Sequence, residues 1–261
     1  MRGKLITSEE SLLHITGSCA MNYQEYAELK GWSGSEFGRC SFGERAYYAM
    51  ELARHGVSCQ GRRILELGFG NGMFLRFARD SGAEVVGVEI QDNLLKRAAD
   101  RGFVVYRSLD QVLESAVEKK FDLAVAFDVL EHLSPEETVE ALRKMQRLVK
   151  PDTGLFVARF PNGDSPFSLP LQNGDYTHRI ALGAGIVSQI LARGGWKINY
   201  LGEPMLAPAT FRERMLAGPA HVFRRALERL LIALYYGRHG PSTLYHNYIL
   251  AASPNIEGDG R

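Results

Sequence analysis

From residue 63 onward, short aliphatic runs alternate with stretches whose apolar residues recur at helical spacing. A run such as Leu123-Ala124-Val125-Ala126-Phe127 shows no polar alternation, which suits a strand covered on both faces of a parallel sheet. The pattern predicts strands over 64–67, 84–89, 103–106, 123–127 and 155–160, with helices over 71–80, 93–101, 111–118 and 135–149 between them. That succession is the rhythm of an α/β fold. Ser134 is placed to cap the fourth helix, Pro135 fits its first position, and Glu136 and Glu137 oppose the positive end of its dipole. A helix over 186–193 and strands over 198–201 and 244–252 follow. Two regions fall outside this core: 1–60, read as a helical extension or lid ahead of a main domain over 61–261, and a helical insertion at about 203–241.

Inside the insertion, Val222, Phe223, Ala226, Leu227, Leu230, Leu231 and Leu234 repeat at i, i+3, i+4 and i+7, with Arg224, Arg225 and Arg229 among the polar positions. This is one amphipathic helix, expected to pack on its own domain or on a second subunit in a homodimer. A basic amphipathic helix lying on a membrane surface is the alternative.

Composition narrows the class. A chain of 261 residues with 45% hydrophobic content suits one globular domain with a sizeable core. The 31 basic and 30 acidic side chains leave a net charge of +1, so no electrostatic footprint argues for nucleic acid and none is expected as a partner. Cys19, Cys40 and Cys59 are far apart and form no Cys-x-x-Cys, which points to a reducing, cytoplasmic setting. Glu9 and Glu10 interrupt the N-terminal stretch, so no leader is expected. The longest apolar run, 230–236, is far short of the roughly 20 residues that span a bilayer.

The candidate chemistry sits at the strand ends. Leu65-Glu66-Leu67-Gly68-Phe69-Gly70-Asn71-Gly72 falls where the first strand turns into the first helix, and its alternate glycines let a ligand approach bare backbone. A nicotinamide dinucleotide site would place its third glycine one residue later, where this chain has Met73. Glu89 closes the second strand at the mouth of that turn, where a carboxylate can accept from both hydroxyls of a ribose.

The Glu-x-Gly-x-Gly-x-Gly form resembles motif I of class I S-adenosylmethionine-dependent methyltransferases. Phe127-Asp128-Val129-Leu130-Glu131-His132-Leu133 resembles the motif IV segment of the many small members that read Asp-Val-Leu-Glu-His. Leu148-Val149-Lys150-Pro151-Asp152-Thr153-Gly154 is similar to their turn before the fifth strand, and the likeness spans residues 60–202 and the last strand. The resemblance implies a Rossmann-like, seven-stranded mixed sheet with helices on both faces, an antiparallel last strand preceded by the helical insertion, and S-adenosyl-L-methionine as cofactor. It implies that Glu66, Gly68, Gly70 and Gly72 form the cofactor turn and that Ile90 lies against the adenine. One of Ser108 to Asp110, with Asp110 a candidate, would meet the adenine edge, while Phe127 and Asp128 would face the methionine end.

The polar stretch over 159–178 leaves the fifth strand at the same sheet edge, so it is expected to face the methyl acceptor. Structureless loops beyond about 12–15 residues are usually functional or disordered, and the prolines and aromatics here favour order. Arg159, Asn162, Asp164 and Gln172 are the candidate acceptor-binding residues. A segment like Arg159-to-Pro166 also resembles bacterial methyltransferases of surface-polysaccharide gene clusters, which implies a sugar or glycan acceptor. A hydroxyl nucleophile must lose its proton, so a general base is sought: His178 first, with Asp175 as its orienter, and His132 second. Asp164, Asp175 and His178 could gather a metal, but their spacing demands none and none is expected. The expected reaction is therefore O-methylation of a hydroxylated small molecule or glycan. Quinone-like acceptors, N-methylation, a nicotinamide oxidoreductase and a non-catalytic cofactor binder are the alternatives. Tyr23, Tyr26, Trp32, Phe37 and Phe42 make the N-terminal region aromatic, suited to a lid or to core packing.

Overall fold

The computed structural model describes residues 36–115, 119–206 and 211–255. Seven strands form one sheet in the order β3-β2-β1-β4-β5-β7-β6. They are β1 (Arg63–Leu67), β2 (Glu84–Val88), β3 (Val104–Tyr106), β4 (Leu123–Phe127), β5 (Leu155–Pro161), β6 (Trp196–Gly202) and β7 (Asn247–Pro254). The first five pair in parallel, and β7 lies antiparallel between β5 and β6.

The apolar runs are continuous because both faces are covered. Along β4, Leu123 and Val125 enter the core beneath α1 (Phe42–Arg54), α2 (Met73–Asp80) and α3 (Asp92–Ala99). Ala124 and Ala126 enter the opposite core, beneath α4 (Leu109–Ser115), α5 (Pro135–Leu148) and α7 (Ala184–Arg193). The expected cap of α5 is a full capping box: Ser134 accepts from the Glu137 N–H at 3.2 Å, and the Glu137 carboxylate accepts from the Ser134 N–H at 2.7 Å. Between β5 and α7 lie a 3-10 turn (Pro166–Ser168) and a short helix α6 (Leu169–Gln172), so the polar stretch is built rather than loose.

The insertion is helical as expected, over α8 (Phe211–Tyr235), but its orientation is not the one expected from hydrophobic spacing. Its inward face is polar. Glu228, 4% exposed, accepts from the Thr243 hydroxyl at 2.5 Å, from the Leu244 N–H and from Arg225 at 2.8 Å. Arg224 pairs with Glu203 at 2.5 Å. Burial alone would raise the Glu228 carboxyl, but those hydrogen bonds outweigh it and hold it below the usual range. With the polar face pinned inward, Val222, Phe223, Leu227, Leu230 and Leu234 face out.

Removing the Glu228 carboxylate would strand a buried hydroxyl, a backbone N–H and a guanidinium together. Glu228→Ala is expected to lower unfolding free energy by about 3 kcal/mol. Urea denaturation checks this, and a midpoint equal to that of the wild type contradicts the pinned orientation.

Candidate functional site

In an open α/β sheet, ligands bind beyond the carboxyl ends of the strands where the order reverses, and here that point lies between β1 and β4. The glycine turn leaves β1 and Asp128 leaves β4, so both border it. Gly68 has φ +67°, and a Cβ there would stand 2.5 Å from a Val129 methyl. Gly72, at φ +71°, would strike the Phe37 ring at 2.4 Å, so packing demands this glycine independently of any ligand. Two cavities of about 320 Å³ and 420 Å³ meet across the turn, and Gly68, Gly70, Asp128 and His132 line both.

The smaller cavity gathers the expected nucleoside-side residues. Glu89, 7% exposed, accepts from the N–H groups of Gly70 at 3.0 Å, Ile90 at 2.8 Å and Gln91 at 3.2 Å, which locks its carboxylate onto the cavity wall. Burial raises this carboxyl and the three N–H groups partly offset the rise. Ile90 stands half-exposed on the same wall, and Ser108, Leu109 and Asp110 complete it. Asp110 is not idle: Lys144 from α5 pairs with it at 2.8 Å.

The larger cavity is acidic at its floor. Glu66 and Glu131 are 3% and 1% exposed, and one carboxylate oxygen of each lacks a hydrogen-bond partner. Burial pushes both well above the usual carboxyl range, with the charge of Glu89 adding to the rise at Glu66 and that of Asp128 at Glu131. Such groups favour a cation beside them, because one restores the stabilisation that burial removes. Phe127 packs its ring against Tyr48 and Phe74, each at 5.2 Å between centroids. Asp128 is the sole non-glycine residue of positive φ among the described residues, at 55°, and its N–H donates to the Arg159 carbonyl at 2.8 Å.

Arg159, expected from the sequence as an acceptor ligand, lines the larger cavity with its guanidinium engaged by a carboxylate. Its guanidinium grips the Asp128 carboxylate through Nε at 3.0 Å and through a second, NH2 contact. It also lies over the Tyr47 and Phe127 rings at 5.1 and 5.8 Å. Arg159 therefore borders the cavity but is committed to Asp128.

Three other expected acceptor ligands are turned inward. Asn162 is fully buried, donating to the carbonyls of Thr243 and Tyr245 at 3.1 and 2.9 Å while its oxygen accepts from the Asp164 N–H at 2.9 Å. Asp164 holds the start of α7 by accepting from the Ala184 N–H at 2.7 Å, and it takes the Tyr248 hydroxyl at 3.1 Å. Gln172 donates to the Ile180 carbonyl at 3.1 Å. The physical reason is common to all three: a long segment folded against β7 buries backbone groups that need partners, and its own side chains supply them.

The histidines do reach the cavity. A carbonyl can only accept, so the contact of 3.0 Å between the Gln172 carbonyl and His178 Nδ1 places the proton on Nδ1 and leaves Nε2 as acceptor. Asp175, expected to orient His178, accepts the Thr177 hydroxyl proton at 2.6 Å, and the Thr177 oxygen then accepts from His132 Nδ1 at 2.7 Å. Asp175 thus orients His132 through Thr177. The two imidazoles meet edge to face at 4.8 Å. Among the described residues, Glu131, His132 and His178 form a group that could hold a metal, one ligand atom of each lying within 4.8 Å of the others. The grouping of Asp164, Asp175 and His178 is not formed, because Asp164 belongs to the start of α7.

Sequence reasoning missed Tyr47, Tyr48 and Thr177. Burial pushes the Tyr47 phenol up to about 12 and that of Tyr48 higher still, so both are walls rather than bases. The Ser41-to-Glu44 capping box just ahead of them was a readable signal for their helix. Thr177 carried no such signal. Of the N-terminal aromatics, Phe37 is buried against the glycine turn and Phe42 is exposed, while Tyr23, Tyr26 and Trp32 lie outside the described residues.

A family model described as a methyltransferase domain matches residues 43–201. A ubiquinone biosynthesis O-methyltransferase of Bordetella avium is 28% identical over 214 residues, covering 79% of this chain and 80% of that protein. One of the same name from Xanthomonas oryzae is 29% identical over 127 residues, and there the chain spans about half of the relative's length, 52%. Among solved structures, a SAM-dependent methyltransferase from Archaeoglobus fulgidus aligns with TM-score 0.55 and 25% identity, over 84% of this chain and 96% of that one. The magnesium protoporphyrin IX methyltransferase of Synechocystis with bound SAH aligns with TM-score 0.53 and 14% identity, over 88% and 94%, which speaks to the fold.

Glu66 supplies a test that needs no ligand. The folded state keeps the Glu66 proton to a higher pH than the unfolded chain does, so its ionisation removes stability as pH rises above the ordinary carboxyl range. Glu66→Gln is therefore expected to match the wild type near pH 4 and to be the more stable of the two at pH 8. Urea melts at both pH values check this, and a variant less stable at pH 8 contradicts it.

Proposed function

This chain belongs to the methyltransferase-domain family and is an S-adenosylmethionine-dependent methyltransferase; from that premise we propose that it O-methylates a ring hydroxyl of an aromatic, quinol-like small molecule. The observation that carries the acceptor class is the fate of the polar loop. Asn162, Asp164 and Gln172, the groups suited to a hydroxyl-rich sugar, spend their hydrogen bonds inside the protein. Beside its carboxylates and the Asp128-paired Arg159, the larger cavity is bordered by Tyr48, Phe69, Phe127, Leu171 and the two histidines. A flat ring with one or two hydroxyls suits such walls better than a sugar does. The relatives named for ubiquinone biosynthesis support the same class.

The donor supplies a methyl group activated by its sulfonium. Glu89 is the residue we assign to its ribose, with Ile90 against the base and Ser108 to Asp110 at the base edge. Glu66 and Glu131, on the wall of the larger cavity, would complement the donor's positive charge, and Asp128 is held in place by Arg159. His178 Nε2 would accept the proton of the acceptor hydroxyl, and its tautomer is set in advance by the Gln172 carbonyl. His132, aligned through Thr177 and Asp175, faces the same space. Positioning does the remainder, since the transferred group already carries a good leaving group.

Methyl transfer from labelled donor to a catechol and to a hexose tests the acceptor class: the catechol is expected to be methylated and the hexose not, and the reverse overturns the proposal. With the catechol, His178→Ala is expected to lower turnover about 10²- to 10⁴-fold at nearly unchanged donor affinity. A variant with the wild-type rate would remove His178 as the base.

A further inference from the structure

The inward pinning of α8 creates a surface that a free globular protein does not normally present. Turning by 100° per residue, Val222, Phe223, Leu227, Leu230 and Leu234 line its outward side, with exposures from 45% at Leu227 to 72% at Phe223. Ala226 and Ala233 lie between them and are also exposed. The orientation is enforced, because the opposite face carries the buried Glu228 with Thr243, Leu244 and Arg225 as partners. Rolling its apolar side inward would carry the Glu228 carboxylate away and leave the buried Thr243 hydroxyl and the Leu244 N–H without their acceptor.

The apolar surface continues beyond the helix. Phe167, 58% exposed, meets Leu231, Tyr235 and Tyr236 around a shared depression. From there exposed Leu169 leads to Leu171, which borders the larger cavity. Contiguous exposed apolar surface of this kind marks an interaction site.

The charges on it select the occupant. Between residues 218 and 240 the sole carboxylate is Glu228, which is buried, while Arg229 and Arg238 are exposed. The surface is thus apolar and cationic, with no exposed acid between residues 218 and 240. A second copy fits poorly, since two-fold pairing centred on the stripe would bring the two Arg229 side chains together with no carboxylate to neutralise them. An anionic bilayer surface fits both properties: the apolar side chains enter the acyl boundary and the arginines meet phosphate headgroups. The tyrosines at 235 and 236 suit the interfacial level. Among the described residues no helix is long and apolar enough to cross a membrane, so the contact is one of lying on the surface.

We propose that the outward face of α8, continued by Phe167 and Leu169, docks this chain onto an anionic membrane surface. This goes beyond the acceptor assignment and stands without it. On that assignment, it would also set the cavity mouth beside the phase in which an apolar ring compound dissolves.

Sedimentation of the full chain with vesicles of phosphatidylcholine alone, or with added phosphatidylglycerol, tests the proposal. Binding to the anionic vesicles is expected, weakening with salt. It should be lost tenfold or more in Leu230→Glu with Leu234→Glu, and reduced in Arg229→Glu. These positions are exposed, and unchanged donor binding by calorimetry confirms that the variants are folded. Absence of wild-type binding to either vesicle overturns the proposal. So does a dimer by light scattering that Leu230→Glu splits, which would make a second copy the occupant. Equal binding by wild type and variants would also overturn it by removing α8 from the contact.

Discussion

The arrangement of the site rests on carboxylates held out of water at the edge where the sheet reverses. Glu66 and Glu131 each keep an oxygen without a hydrogen-bond partner, and burial raises both. A protein gains nothing in stability from such groups, since isosteric amides would carry no charge to desolvate. Their presence on the floor of the larger cavity is intelligible as complementarity to a cation, and the sulfonium donor of this family is one. Other features of the site serve that constraint: the glycine turn admits the ligand, Glu89 ties the turn to β2 at 3.0 Å, and Arg159 prevents Asp128 from adding a third unpaired charge.

A second theme is the division of labour within the segment after β5. Its polar side chains were expected to face a substrate, yet Asn162 and Asp164 are structural pins that let a twenty-residue stretch close over the sheet edge. Only after that closure do His178, Asp175 and Leu171 reach the cavity. The rigidity given to the imidazoles by the Gln172 carbonyl and by Thr177 is a consequence of the same folding. The shape of the His178 side of the cavity therefore depends on residues, Asn162 and Asp164, that do not line it.

How much of this was legible in the sequence differs by element. Strand and helix placement followed from apolar periodicity, because a two-sided parallel sheet writes uninterrupted aliphatic runs such as 123–127. The glycine turn, Glu89 and Asp128 were legible because backbone conformation and strand-end position restrict residue type there. The direction of α8 was not, since a hydrophobic stripe says only that one side differs from the other. One buried glutamate, Glu228, decided which side faces in. Nor was the partner of His178, because a backbone carbonyl has no residue type to read, and a bond between Asp175 and Thr177 is invisible until the turn is folded.

Whether the buried carboxylates seat a cationic donor is read by calorimetric titration of S-adenosylmethionine in two buffers of differing ionisation enthalpy, repeated across pH. A cation beside Glu66 and Glu131 lowers carboxyls that burial has raised, so binding should release protons to the buffer and affinity should rise with pH. Binding that releases no proton, with affinity independent of pH from the carboxyl range to neutrality, would contradict it.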